Sequence, residues 1–297
     1  MPSRDVDHAK AILSSALVSL TIDTLFFGLF SGACALTLWW LVTKPSPPRS
    51  VLGRIGPVVT LAIMFVLALA YLVLDIDASM DGFVASAGNL DSMMHGLTDI
   101  RPDTRSHWST KMTILFVQIL LADAFMVFRL YDVWDRKHWA AFTPALFSLA
   151  ALLAGAMMVA YLFHLEDDIT GGARTGLFFG FSFVSSGLCA VLIIGRRIRA
   201  HARSGPGKPR LPVLPYLPRA AILVADVIIQ SAVVYCAASL GLLIYVVIGF
   251  PQARPNWIIG GMPSFIGITT SAIVLWELLA VDAEPEDETE KLHGETA

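Results

Sequence analysis

Residues Leu120–Trp134 read LLADAFMVFRLYDVW. The stretch is apolar enough for hydrocarbon, yet it carries Asp123 near its middle and Arg129 near its end. Its flanks decide how it is counted. Trp108 and Trp134 bracket it, and tryptophan collects where a crossing helix meets the headgroups. Read with those markers, it belongs to a membrane-crossing helix over about residues 109–131.

The same reading extends outward. The chain has 297 residues, 56% of them hydrophobic and 15% charged, with a mean hydropathy of +0.67. Soluble domains carry roughly a quarter charged residues. The apolar residues lie in runs of the length that crosses about 30 Å of hydrocarbon. Seven spans are expected, over about residues 15–42, 57–74, 109–131, 141–164, 175–195, 220–250 and 257–281. The predicted fold is an all-α membrane protein, a single seven-transmembrane-helix bundle of residues 1–281. An acidic, disordered tail over 282–297 follows. The N-terminal MPSRDVDHAK lacks the short apolar core and cleavage site of a removed signal peptide, so the first span is expected to be retained.

Loop charge sets the direction. The first, third and fifth loops hold 12 Lys and Arg, and the second, fourth and sixth hold 4. Basic loops stay cytoplasmic, which places the N-terminus outside and the C-terminus inside. All seven tryptophans fall at or near expected helix ends. The second loop, about residues 75–108, contains Asp75, Asp77, Asp81, Asp91, Asp99 and Asp103. It reads as an irregular outer cap with a short interfacial helix, or as a lid. The localisation implied is an integral multi-pass position, with the plasma membrane as one candidate.

Several chemistries lack support. Cys34, Cys189 and Cys236 all lie inside apolar runs and read as small buried hydrophobes. No lysine lies in the seventh span to anchor a retinal Schiff base. The histidines sit in loops, tails or at a helix edge, which argues against an intramembrane zinc site. No nucleophile motif, phosphate-binding loop or paired-acid protease pattern occurs. The expectation is no enzyme activity, no metal, no cofactor and no nucleic-acid partner.

Two backbone patterns stand out. In PGKPRLPVLPYLP, Pro206, Pro209, Pro212, Pro215 and Pro218 recur every third residue, which aligns them along one edge of a polyproline II helix. This is a stiff spacer or, with Arg203 three residues earlier, a docking strip for a cytoplasmic partner at the third cytoplasmic loop. Gly28/Gly32 and Gly176/Gly180 are four-residue glycine pairs, read as close-packing points inside the bundle or, alternatively, as dimerisation points.

The intramembrane polar residues are the candidate site: Asp123, Arg129, Asp226 and Gln230, with Asp23, Gln118 and Glu277 beside them. By helix rise, Asp123 and Asp226 lie at similar depth, roughly 9–12 Å from the cytoplasmic boundary. Asp123 and Arg129 are six residues apart and point to different sides of one helix. Arg129 with Asp226, between the third and sixth spans, is the expected pair. A buried carboxyl must be paired or protonated. The network is either glue between helices, a switch latch, or a proton relay.

These segments also carry a resemblance. DAFMVFRLYDVW with the following basic residues and Pro144, IIGRRIRAH, ADVIIQSAVVYCAASL with Ser231 and Tyr235, and GMPSFIGITTSAIVLWELL resemble the uncharacterised seven-transmembrane-helix membrane proteins of basidiomycete (mushroom-forming) fungi. Gln230 stands where that group usually has Glu, and Trp276 and Glu277 replace its usual closing Arg. The resemblance implies a receptor-like bundle and no assigned activity. The leading expectation is therefore a receptor-like sensor of an unknown small or lipidic ligand in the lipid bilayer. The alternatives are a proton-coupled transporter and a non-signalling structural membrane protein.

Overall fold

The computed structural model describes residues 2–43, 51–84, 102–164, 171–203, 233–248 and 256–282. These form seven helices: α1 (Pro2–Thr43), α2 (Val51–Val84), α3 (Pro102–Val133), α4 (His138–His164), α5 (Gly171–Arg203), α6 (Val233–Ile248) and α7 (Asn256–Asp282). Five contain apolar stretches long enough to cross a membrane, at Leu17–Thr43, Gly56–Met80, Ser109–Val133, His138–Ala160 and Thr175–Arg196. The all-helical, multi-pass membrane character expected of the sequence is present.

α3 is the hub. It packs against α2, α4, α5 and α7, and over half of its apolar span is buried. This resolves the difficulty of LLADAFMVFRLYDVW. Asp123 and Arg129 lie on different faces of α3, yet both are buried, because the helix is surrounded. Phe116 of α3 stacks obliquely on Phe178 of α5, with ring centroids 4.6 Å apart, and also meets Phe179. The peripheral helices present rows of apolar residues outward, such as Leu25, Leu29 and Leu36 on α1 and Leu146, Leu149 and Leu153 on α4. Exposed apolar surface on this scale marks contact with lipid.

The α3–α4 connection is a tight cap. Arg136 N–H donates to Tyr131 O at 2.9 Å, and Asp135 and Arg136 adopt φ of 51° and 62°. This is the left-handed helix ending that usually takes glycine. Arg196, on α5, compensates by donating to Asp135 at 2.5 Å while lying over the Trp134 ring. Trp134 also meets Trp139 edge-on at 5.0 Å. The end of α3, the start of α4 and the closing turns of α5 are thus tied together at one end of the bundle.

Three expectations change. Residues 75–84 continue α2, and 102–108 open α3, so those parts of the second loop are helix rather than irregular cap. The extension follows from Asp75 gaining a partner on α3, Lys111, instead of hanging in a loop. α5 likewise runs through the basic stretch to Arg203, which makes that residue the end of a helix rather than part of a loop. Gly28 and Gly32 are exposed, and a side chain at either would meet nothing within 4 Å. The close-packing expectation fails for that pair because it lies on the outward side of α1. Gly180 is also open in this sense. The proline strip and the acidic tail lie outside the described residues.

Close approach occurs instead in α7. α1 and α7 share the most extensive interhelical contact. Gly260 and Gly267 make room there for the Asp23 carboxyl and the Phe30 ring of α1 respectively. Thr37 Oγ1 of α1 donates to its own Ala33 O at 2.7 Å and reaches Ser271 O of α7 at 3.5 Å. A methyl group at Gly267 would overlap Phe30, which is fully buried. Gly267→Ala is expected to lower unfolding stability by about 1–3 kcal/mol, the usual cost of overpacking. Pairing it with Phe30→Leu should recover part of that loss, as measured by thermal unfolding in detergent.

Candidate functional site

The site is built on α3, α5 and α6. Asp123 is fully buried and lies ten residues before the end of α3, about 15 Å along the helix axis. Ser182 Oγ on α5 donates to Asp123 Oδ2 at 2.5 Å. Tyr235 OH on α6 donates to Oδ1 at 3.2 Å. One carboxyl therefore joins three helices at the middle of the bundle. Without water, each bond is worth more to the packing than on a surface, since the lone alternative is an unmet polar group.

The local sequence explains the geometry. Ser182, Ser185, Ser186 and Cys189 recur at the three- and four-residue spacing of one helix face. All four are buried. Ser186 Oγ donates back to Ser182 O at 2.9 Å. Ser185 faces α4 and donates to Pro144 O at 3.0 Å, with Ser148 Oγ 2.7 Å away. Ser239, one turn beyond Tyr235, lies beside its hydroxyl, and Cys189 and Cys236 stand near Asp123. Both thiols are free.

Hydroxyls can donate or accept by rotating about the C–O bond. Such a cluster accommodates Asp123 as acid or as carboxylate without moving a helix. Among the described residues no group of three potential metal ligands occurs.

The other expected site residues fall as follows. Gln118 is buried on α3 and donates from Nε2 to Pro263 O of α7 at 2.7 Å. Arg129 is buried at 3% exposure, six residues beyond Asp123. Its expected pairing with Asp226 lies outside the described residues, as do Asp226 and Gln230 themselves. The Glu277 side chain also lies outside them. Asp23 is buried between α1 and α7, away from the Asp123 cluster. The residue reading missed the serines of α5, although FSFVSSGLC displays their helical spacing. Tyr235 entered only through the family resemblance.

At the end of the bundle, the hydrogen bond and charge of Arg196 hold the exposed Asp135 carboxyl below its ordinary range. A lowered folded-state value contributes stability above the unfolded carboxylate range and loses it as pH falls through the folded one. The difference in thermal midpoint between wild type and Asp135→Asn should therefore be present at neutral pH and close below about pH 4.

In the buried cluster, Ser182→Ala and Tyr235→Phe each remove one donor from the same carboxyl. Each is expected to cost about 1–3 kcal/mol, the penalty for an unmet buried acceptor. Because the two bonds share Asp123, the double variant should depart from additivity by at least ~0.5 kcal/mol. Strict additivity in a double-mutant cycle would mean that the bonds act separately.

No protein family, curated protein or solved structure matches this chain, so its own residues carry the functional argument.

Proposed function

We propose that the chain is a receptor-like membrane protein of seven spans, with its N-terminus outside and its C-terminus in the cytoplasm, that senses a small or lipidic ligand. The supporting observation is the Asp123 node. A single buried carboxyl holds α5 and α6 to α3 through two hydroxyls, one at 2.5 Å and one at 3.2 Å. A contact of that kind stores a choice between two helix arrangements, since the longer bond can be given up while the shorter persists. A ligand that prefers one arrangement shifts the balance by its difference in affinity for the two. The basic end of α5 and the proline-rich segment after it then supply the cytoplasmic docking surface. Kinship with the seven-helix proteins of basidiomycete fungi is part of the same proposal and rests on the quoted motifs.

The test needs no known ligand. Spin labels at the exposed positions Val117 and Ile244 report the α3–α6 separation in lipid nanodiscs. The expected result is a two-component distance distribution whose proportions change in Tyr235→Phe. A single distribution, identical in both proteins, would leave Asp123 as static glue and remove the basis for the receptor reading. Proton uptake by proteoliposomes that disappears in Asp123→Asn would point instead to the transporter.

A further inference from the structure

A second buried acid lies outside the Asp123 cluster. Asp23 of α1 is 3% exposed, and neither carboxyl oxygen has a hydrogen-bond partner. It sits against the backbone of Gly260 in α7, where any side chain would collide with it. Facing it are Asp75 and Tyr71 of α2 and Lys111 of α3. Lys111 is already engaged. It forms an ion pair with Asp75 Oδ1, and its ammonium also lies 5.4 Å from the centre of the Tyr71 ring. Tyr71 is itself buried.

The charge inventory of this cluster closes with a neutral Asp23 and does not close with an ionised one. Asp23 and Asp75 bring two carboxyls, and Lys111 brings one ammonium. An ionised Asp23 would leave one buried negative charge without compensation, at a prohibitive desolvation cost. One further positive charge balances the group. A divalent ion would overshoot, and such ions generally require more acidic oxygens than remain here. Asp23 offers two unused oxygens, and Asp75 has one oxygen not taken by Lys111.

We infer that Asp23 and Asp75 form a binding site for one exchangeable monovalent cation, closed on one side by Gly260 and on another by the Lys111 ammonium. The occupant is of the sodium class, a hard cation suited to carboxylate oxygen, with the proton as its competitor for the same oxygens. The site joins α1, α2, α3 and α7, none of which except α3 takes part in the Asp123 cluster. Occupancy would tie the first and last helices to the hub, while its loss would set like charges against each other across α1 and α2.

The experiment uses the full chain in detergent at constant ionic strength, with sodium chloride replacing N-methylglucamine chloride at pH 8. Wild type should gain about 2–5 °C in thermal midpoint as sodium saturates. Asp135→Asn should respond in the same way, and Asp23→Asn should not respond. Gly260→Ala should shift the response to higher sodium. If Asp23→Asn fails to fold, binding of radioactive sodium to wild type, competed by unlabelled sodium and by acid, gives the same reading directly. A midpoint that ignores sodium but rises on acidification in sodium-free buffer, only when Asp23 is present, overturns the sodium site and leaves Asp23 a buried acid that holds only a proton. A midpoint indifferent to both, or a sodium response retained by Asp23→Asn, overturns the site.

Discussion

A carboxyl at the middle of a helix has to be satisfied where no water reaches. Asp123 meets that constraint only because α3 is surrounded, and the rest of the arrangement follows from surrounding it. Ser182 must face inward from α5, which turns Ser185, Ser186 and Cys189 inward with it. Tyr235 must reach from α6, which fixes that helix beside α5. The outer faces are then free to be uniformly apolar. In lipid the hydrophobic effect does not draw helices together, so such polar contacts and close packing specify which helix meets which.

The bundle uses both devices in different places. α3, α5 and α6 are joined by hydroxyls on a carboxyl. α1 and α7 are joined mainly by fit, with Phe30 seated against Gly267 and Asp23 against Gly260. Gln118 connects the two halves through the carbonyl of Pro263. Proline appears inside α2, α4 and α7, at Pro57, Pro144 and Pro263, where each leaves one backbone position without an N–H. Two of these three prolines accept an interhelical bond at their own carbonyl, from Ser185 and from Gln118.

The helical, membrane-crossing character was legible because hydropathy reports length and composition directly. Asp123 was also legible, since a charge in an apolar run is conspicuous. Its partners were not, because serine and tyrosine blend into such runs and only their spacing betrays a face. Lys111 escaped attention for a different reason. It lies close enough to the start of its span to read as a boundary residue, yet it folds back to Asp75. Gly28 and Gly32 misled because spacing identifies a small-residue ridge without saying whether another helix lies against it. Gly260 and Gly267, seven residues apart, form the ridge that is used. The ends of α2 and α5 were underestimated because their terminal turns are polar, and hydropathy stops where lipid stops rather than where hydrogen bonding does.

The contact between α1 and α7 has a consequence for the order of assembly. α1 finds its principal partner in α7, after the five described helices between them have been synthesised. Until then, the Phe30 face has no seat and the Asp23 carboxyl has no Gly260 backbone to lie against. An early helix carrying a buried acid must wait in the bilayer, or in the insertion machinery, for its late partner. Truncation before residue 256 therefore removes more than one helix's worth of packing, because it also leaves the first helix without the surface it was shaped to meet.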